Sequence, residues 1–220
     1  MKTHREQIGT YRFLNNSYIE LDQIQSAIYR HCRESSMAGH ILCIQDTSEI
    51  NYSHLSGKLK ANDRHIGPTG SEKDAGFFIH PVLALSTDDY FPIGFPSVKV
   101  WNRSWDKQDK YEREYKQEPI ENKESYRWIE SATQCKKVFG QDHTITMIGD
   151  RESDIYEEFV AVPDERTHLL VRSRSDRVLA GEDDKLYQKL SASPLSTTYS
   201  IQFRGHHGGK MRHAHIEVRY

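Results

Sequence analysis

Apolar residues along this 220-residue chain occur in short clusters separated by long polar stretches. The first cluster lies in residues 17–38, where four residues recur at helical spacing: Leu21, Ile24, Ile28 and Cys32. This spacing predicts a helix with one apolar stripe. Ser17 and Glu20 have the spacing of a capping box, so we expect the helix to begin there.

Five later segments have the composition and length of β-strands. They are residues 41–44, 77–86, 93–101, 144–148 and 168–172. The first is a continuous apolar run, a pattern typical of a strand buried on both faces. Helices are predicted over residues 124–139 and 153–162, the second capped by Ser153. This order of elements predicts a mixed α/β sheet in which parallel neighbours are joined by helical crossovers.

The pattern changes beyond Arg174. Two segments with alternating apolar residues flank a glycine-rich turn at 205–209, which predicts a β-hairpin over residues 197–220. The chain stops inside the second strand, so we expect the sequence to be a piece of a longer protein. Residues 102–123 carry dense charge of both signs, which favours a solvated loop.

Composition narrows the classes of protein. The hydrophobic fraction is 36% and the mean hydropathy is −0.78, which is low for a compact domain, although the apolar clusters still allow a core. The net charge is −2, so a nucleic-acid partner would have to be bound by local basic patches. No apolar run reaches the ~20 residues of a membrane span, and the start lacks a secretory signal.

Three cysteines, Cys32, Cys43 and Cys135, are odd in number and far apart in the sequence. They fit neither a disulfide framework nor a zinc pattern. We therefore expect a soluble cytoplasmic protein without a membrane partner.

Asp46 and Asp150 each follow an apolar predicted strand. If these strands are neighbours, both carboxylates point to the same edge of the sheet, where such sheets place their chemistry. Two converging carboxylates suit Mg²⁺ or Mn²⁺ and the two-metal cleavage of a phosphodiester. The alternative is that each aspartate only forms a turn or caps a helix, as a single aspartate after a strand usually does.

Several further blocks follow in a fixed order along the chain. They are Tyr11–Asn16, Gln45–Ser48, Asn51–His54, Gly76–His80, Lys123–Ser125 with Trp128, Gly149–Tyr156 and Leu170–Arg174. Together they resemble the cut-and-paste DDE transposases of the insertion-sequence-four family, over the chain from about residue 8 onward. The blocks around Lys123 and Asp150 are the most specific.

The resemblance implies a fold and a domain order. It implies a ribonuclease-H-like mixed sheet with flanking helices, followed by the start of an inserted β-rich domain. Residues 1–38 would be a helical remnant of the N-terminal region, residues 39–174 the first part of the catalytic core, and residues 175–220 the beginning of the inserted domain.

The same resemblance implies a reaction. Asp46 and Asp150 correspond to the first two of three carboxylates that hold Mg²⁺ or Mn²⁺, and a homodimer would cut and join double-stranded DNA at transposon ends and target, in the nucleoid. The third carboxylate is a glutamate in a Y-x-x-R-x-x-x-E pattern, which this sequence lacks. Glu217 is a poor substitute on a predicted exposed strand. We therefore expect this chain to be inactive by itself.

Candidate DNA-binding residues are the basic side chains near these blocks: Arg151, Arg172, Arg174, Lys123, Lys210 and Arg212. For Arg177 and Arg219 an ordinary solubilising role is equally compatible with the pattern. Four further residues are expected as neighbours of the active site: Thr47, His80, Glu152 and Asp154. For His80, a hydrogen-bonded core histidine remains an alternative.

Two other residue types invite a functional interpretation. Four histidines flank the predicted hairpin turn without a cysteine or carboxylate at ligand spacing, so we expect no metal site there: His206, His207, His213 and His215. Trp101, Trp105 and Trp128 could stack on bases, although the helical position of Trp128 favours packing.

Two competing interpretations stay open. Asp154 four residues after Asp150, together with Asp46 and Thr47, fits fragments of a haloacid-dehalogenase-like phosphatase. That mechanism needs a second aspartate two positions after the nucleophile, where this chain has Ser48. Alternatively, the chain is a non-catalytic transposase remnant that binds DNA without cutting it.

Overall fold

The computed structural model of the chain describes residues 3–58, 65–70, 74–105, 117–181, 184–205 and 209–219. Within these ranges no helix has the length and apolar character needed to cross a membrane. The chain divides into two compact units, of which the first ends at Arg172 and the second begins at Ser173.

The helices and strands of the first unit follow much of the order that the hydrophobic pattern predicts. Its elements are α1 (His4–Leu14), α2 (Leu21–Ser35), β1 (Gly39–Gln45), β2 (Ser48–Asn51), β3 (Gly67–Pro68), β4 (Ala75–Ser86), β5 (Pro92–Trp101), α3 (Tyr126–Phe139), β6 (His143–Gly149), α4 (Tyr156–Ala161) and β7 (Thr167–Val171). The five predicted strands are confirmed with ends that differ by one or two residues.

These strands form one mixed sheet. Its main path is β5–β4–β1–β6–β7, and the short strands β2 and β3 also pair with β4. β4 is antiparallel to β1 and to β5, whereas β1, β6 and β7 are mutually parallel. Such a mixed α/β sheet is compatible with a ribonuclease-H-like fold. Because the parallel strands run in one direction, the carboxyl ends of β1, β6 and β7 share one edge of the sheet.

The hydrophobic core lies between one face of the sheet and the helices α2 and α3. It contains Cys32 from α2, Cys43 from β1 and Cys135 from α3, together with Phe139 and Met147. The three cysteines, distant in sequence, are therefore buried free thiols of one core. Burial raises the pKa of Cys32 to about 12, which keeps its thiol protonated and unreactive.

The prediction that β1 is buried on both faces is wrong. Ile41 and Cys43 are buried against the helices, but Leu42 is half-buried and Ile44 is 38% exposed. Successive side chains of a strand point to opposite faces. The helices that contribute to the described core pack on the side of Ile41, and on the other side the described residues leave Ile44 exposed.

Two predicted helix caps are also wrong. α2 begins at Leu21 rather than at Ser17, and its cap is Glu20, whose backbone N–H donates to the side chain of Gln23. Ser153 does not cap α4, which starts at Tyr156. It ends a 3-10 turn, and its hydroxyl donates to a buried glutamate instead. The 3-10 turn places Ser153 three residues ahead of the first residue of α4, so it does not occupy the cap position, which Ile155 holds.

The prediction of a solvated loop over residues 102–123 is wrong at the beginning of the segment, where Arg103 is half-buried. Residues 106–116 lie outside the described ranges. Before them, Arg103 is half-buried, donates two hydrogen bonds to the carboxylate of Glu124, and lies 4.4 Å from the ring centroid of Phe78. This cation–π contact and ion pair fix the beginning of the segment against the sheet.

The second unit contains a helix and the predicted hairpin. Its elements are α5 (Leu186–Ala192), β8 (Thr197–Arg204) and β9 (Met211–Val218), and β8 pairs with β9 in antiparallel register. The hairpin is confirmed, whereas α5 was not predicted. All residues of β8 are exposed. Arg219 donates to the backbone oxygen of Ser193 at 2.6 Å, so this side chain has a structural role in fastening β9 to α5.

Candidate functional site

Asp46 and Asp150 are the first residues after two adjacent parallel strands, β1 and β6. Ile44 pairs with Ile148 in the register of these strands. Asp46 and Asp150 each come two residues later, so they follow the same position along the two strands. Neighbouring strands lie about 4.8 Å apart. Both aspartates are exposed. The register therefore places the two residues at neighbouring positions on the exposed edge of the sheet.

Each aspartate has one oxygen engaged by the backbone. Asp46 Oδ1 accepts from the backbone N–H of Thr47 at 2.7 Å, and Asp150 Oδ1 accepts from that of Glu152 at 2.8 Å. Asp150 thus caps the 3-10 turn that follows β6, so the structural role left open by the sequence is present there. A carboxylate has about four acceptor positions, and one such bond leaves capacity for a ligand.

Gly149 allows the chain to fold tightly beneath Asp150. A Cβ atom at this position would lie 2.4 Å from both the Cβ and the Oγ of Ser153. Any larger residue would therefore push away the turn formed by residues 151–153. The glycine before Asp150 is required by this close approach.

The donor chemistry of the pair fits a hard divalent cation. Carboxylate oxygens are the ligands that Mg²⁺ and Mn²⁺ prefer. Across the described ranges, however, no three or more His, Cys, Asp or Glu side chains cluster in a way that could hold a metal ion. Among the described residues, the two aspartates therefore do not belong to a larger cluster of such side chains.

Arg127, on the first turn of α3, links the surroundings of both aspartates and was missed by the sequence analysis. Its Nε donates to Thr47 Oγ1 at 2.8 Å and its Nη2 to Glu152 Oε2 at 2.6 Å. Its side chain is only 10% exposed. The available signal was a cation directly before Trp128, on the apolar side of the predicted helix.

His80 lies on β4 and is completely buried. Its Nδ1 is 2.8 Å from Thr47 Oγ1, and its Nε2 is 3.4 Å from Gln45 Oε1. Burial, reinforced by the charges of Arg127 and Lys99, lowers the pKa of His80 to about 3, so the ring is neutral. It is a hydrogen-bonded core histidine that also contacts the residue after Asp46.

Glu158, the second residue missed, is fully buried on α4. Oε1 accepts from Gln45 Nε2 at 3.2 Å and Oε2 from Ser153 Oγ at 2.6 Å. Burial raises the pKa of Glu158 to about 7, against the opposing effect of these hydrogen bonds. The sequence signal was weak, because a Glu-Glu pair in a short helix normally indicates a solvated face.

The other expected neighbours have different environments. Glu152 is exposed and paired with Arg127, whereas Asp154 is buried where the 3-10 turn ends. Neither is the first residue after a strand. The structure thus brings Thr47, His80 and Glu152 into contacts around the two aspartates, and Asp154 next to the same turn.

Two of the candidate DNA-binding residues share the edge of the two aspartates. Arg151 follows Asp150 and is exposed. Arg172 is exposed directly after β7, and its backbone N–H donates to Gly149 O at 3.2 Å. Lys123 is half-buried ahead of α3. The others belong to the second unit, where these are exposed: Arg174, Lys210 and Arg212.

The remaining histidines and tryptophans have local contacts. His213 and His215 are exposed on β9, and His215 Nδ1 lies 2.8 Å from Ser200 Oγ, whereas His206 and His207 lie outside the described ranges. The sequence left open whether the three tryptophans stack on bases or pack within the protein. Trp128 is fully buried, Trp101 stacks on Phe78, and the indole of Trp105 donates to Ile66 O.

No model of a known protein family matches the chain. Among solved structures, one that is similar is a cryo-EM structure of a piggyBac transposase synaptic complex with hairpin DNA. The sequence identity is 10% and the TM-score is 0.41. The match covers 96% of this chain and 40% of that chain, so this chain spans less than half of that protein. A likeness this distant assigns no function.

Proposed function

We propose that this chain is part of a metal-dependent transposase of the insertion-sequence-four type, in which Asp46 and Asp150 are two of the ligands of Mg²⁺ or Mn²⁺. The observation that carries the proposal is the equal level of the two aspartates at the carboxyl edge of β1 and β6. Because neighbouring parallel strands end there together, two residues 104 positions apart face the same solvent.

In this proposal the first unit is the ribonuclease-H-like catalytic core. The hairpin β8–β9 is the beginning of the inserted β-rich domain. The order of strands and the α/β pairing support the first assignment, and the exposed, two-stranded character of the hairpin is compatible with the second.

Each group has a defined task in the reaction. A bound divalent cation would activate water and stabilise the leaving oxygen of a phosphodiester. Asp46 and Asp150 hold that charge at the edge of the sheet, while Arg151 and Arg172 attract the phosphate backbone of double-stranded DNA. No side chain forms a covalent intermediate, so the protein supplies position and electrostatics. The substrates are transposon ends and target DNA, bound by a homodimer.

Two carboxylates are few for this chemistry. Metal affinity depends on ligand number and geometry, and no larger ligand cluster occurs in the described part of the chain. We therefore expect weak cation binding and little nicking of DNA by this chain alone. Clear Mn²⁺-dependent nicking by the isolated chain would contradict this expectation.

The test is a calorimetric titration with Mn²⁺ of the unmodified chain and of Asp46→Asn and Asp150→Asn. Each substitution is expected to weaken binding at least tenfold, because it removes one of two charged ligands. Asp88→Asn is the matched control, since Asp88 is exposed in the turn after β4, at the opposite end of the sheet. Equal affinities for all four proteins would refute the proposal.

The same titration, together with a trapping experiment, distinguishes the proposal from a DNA-binding remnant and from a phosphatase. A DNA-binding remnant without a metal site would bind DNA, and neither Asp46→Asn nor Asp150→Asn would change Mn²⁺ binding. A phosphatase would trap an aspartyl-phosphate analogue at Asp46. Ser48 disfavours that reaction, because the second aspartate of the phosphatase motif is replaced by the first residue of β2.

A further inference from the structure

We propose that Arg127 and Glu158 are positioning residues that hold the segments bearing Asp46 and Asp150 at a fixed separation through a ring of hydrogen bonds, which is buried around Glu158 and half-buried around Thr47. This inference rests on the proposed function, because it concerns the geometry of the same two aspartates. Neither residue belongs to the pair expected to bind the cation, and both act through other side chains.

The first half of the ring runs through Arg127. Its guanidinium donates to Thr47, the residue directly after Asp46, and to Glu152, two residues after Asp150. A third bond, from Nη1 to the backbone oxygen of Glu124 at 2.9 Å, fixes the guanidinium to the start of α3. Because a guanidinium is planar and rigid, it sets both the distance and the angle between the two segments.

The second half runs through Glu158. Its carboxylate accepts from Gln45, the residue directly before Asp46, and from Ser153, three residues after Asp150. All three side chains are buried, with 2% or less of their surface exposed. An unsatisfied polar group in such a place is costly, so the strand end and the turn cannot separate without a large loss.

His80 closes the ring between Thr47 and Gln45. Gln45 donates to Glu158 through Nε2, so its Oε1 faces the ring of His80 and needs a donor there. The neutral ring therefore carries its proton on Nε2, and Nδ1 accepts from the hydroxyl of Thr47. Along Thr47, His80 and Gln45, every bond thus points from the guanidinium of Arg127 toward the carboxyl group of Glu158, and the flanks of Asp46 are held on both sides.

The geometry explains why such a ring is needed. Two exposed carboxylates on adjacent strands repel each other when no cation is bound. Without fixed flanks the strand ends would move apart, and cation binding would have to bring them together again. Preformed ligands bind more tightly because this cost is absent.

The experiment compares Glu158→Leu with Glu158→Gln. Leucine fills the site but cannot accept a hydrogen bond, whereas glutamine accepts from Gln45 and donates to Ser153, whose hydroxyl then serves as the acceptor. Thr47→Val and Thr47→Ser form a second pair, which tests the other half of the ring with a half-buried residue if Glu158→Leu does not fold.

Two quantities are measured in the full chain. The first is the Mn²⁺ affinity, and the second is the hydrogen exchange of the Thr47 and Glu152 backbone amides in metal-free protein. We expect Glu158→Leu and Thr47→Val to weaken Mn²⁺ binding at least fivefold and to accelerate exchange of both amides at least tenfold. Glu158→Gln and Thr47→Ser are expected to stay within twofold of the unmodified chain.

His143→Leu is the matched control for general destabilisation. His143 is buried at the opposite end of β6, and its ring nitrogens lie 2.9 Å from Phe139 O and 3.0 Å from Met37 O. This substitution should lower the melting temperature but leave the Mn²⁺ affinity within twofold. If Glu158→Leu and Thr47→Val also bind Mn²⁺ like the unmodified chain, the positioning role is refuted while the metal site stands. If Asp46→Asn and Asp150→Asn have no effect either, both proposals fail.

Discussion

The two ends of β6 bury polar side chains in different ways. At its amino end, His143 contacts backbone oxygens of Phe139 and Met37, and nearby Arg33 donates to the backbone oxygen of Val138 at 2.7 Å. At its carboxyl end, the buried side chains bond to one another, and Glu158 accepts from two of them.

This difference separates two tasks of the same strand. Side chains that bond to backbone oxygens satisfy the ends of helices and loops, and they contribute stability wherever they occur. Side chains that bond to one another specify the relative position of the segments that carry them, at the risk of unsatisfied buried groups when one member is lost. The second arrangement lies directly beneath the exposed Asp46 and Asp150.

The largest effect is expected when the apolar packing at the carboxyl end of β6 is removed. Trp128 is fully buried, and its ring meets the His80 ring edge-on with 4.7 Å between centroids. Trp128→Ala should lower the free energy of unfolding by about 3–5 kcal/mol, as expected for a large aromatic residue removed from a core. Urea denaturation measures this loss. Trp105→Ala, at an exposed position, should cost far less, and equal losses would contradict the packing described here.

The second prediction concerns the pH dependence of stability that the buried carboxyl group of Glu158 causes. The folded-state pKa of Glu158 is about 7, above the ordinary value of 4.5, so the folded protein favours the neutral acid. The unmodified chain should therefore lose stability relative to Glu158→Gln as the pH rises from about 4.5 to about 7, by up to about 3 kcal/mol, and the difference should level off above that range.

Chemical denaturation at a series of pH values measures the difference directly. His80 is present in both proteins, so its titration cancels. A stability difference for Glu158→Gln that grew in the opposite direction would show that the carboxylate is charged in the fold at acidic pH.

The third prediction tests the tight turn beneath Asp150. Gly149→Ala places a Cβ atom against Ser153 and should destabilise the chain by about 1–3 kcal/mol, the usual cost of overpacking. It should also weaken Mn²⁺ binding, because the turn that carries Asp150 must move. Gly57→Ala has no atom within 4 Å of the new Cβ and serves as the control. If both variants unfold at the same urea concentration, the close approach is not present in solution.

The smallest expected effect lies at the amino end. Asp142 forms an ion pair with Arg33 at 2.8 Å, but the side chains are 67% and 40% exposed. Asp142→Ala should therefore change the free energy of unfolding by less than about 1 kcal/mol. Arg33→Ala should cost more, because it also removes the bond to Val138 O. An equal cost for the two substitutions would mean that the backbone bond contributes nothing.

The strands and the two aspartates could be predicted because they follow local rules. Apolar runs bounded by polar residues gave strand ends within two residues, and a carboxylate directly after such a run is visible without any knowledge of pairing. The burial of β1 was predicted wrongly, since the apolar character of Ile44 does not reveal that its side chain is exposed.

The ring beneath the aspartates could not be predicted. Arg127 and Thr47 are 80 positions apart, and Gln45 and Glu158 are 113 positions apart. Charged residues in amphipathic segments are normally assigned to solvent. Only the pairing of β1 with β6 shows that Arg127 and Glu158 are buried. Ser153 was predicted to be a cap from its position at the start of the predicted helix, and the pattern does not indicate its hydrogen bond to Glu158.

The most direct measurement is a crystal structure of the chain soaked in Mn²⁺, with the metal located by its anomalous scattering. We expect one peak at the carboxyl edge of β1 and β6, with a carboxylate oxygen of Asp46 and one of Asp150 each at about 2.1 Å. A peak that contacts only one of the two aspartates, or carboxylates that turn away from each other in the soaked crystal, would contradict it.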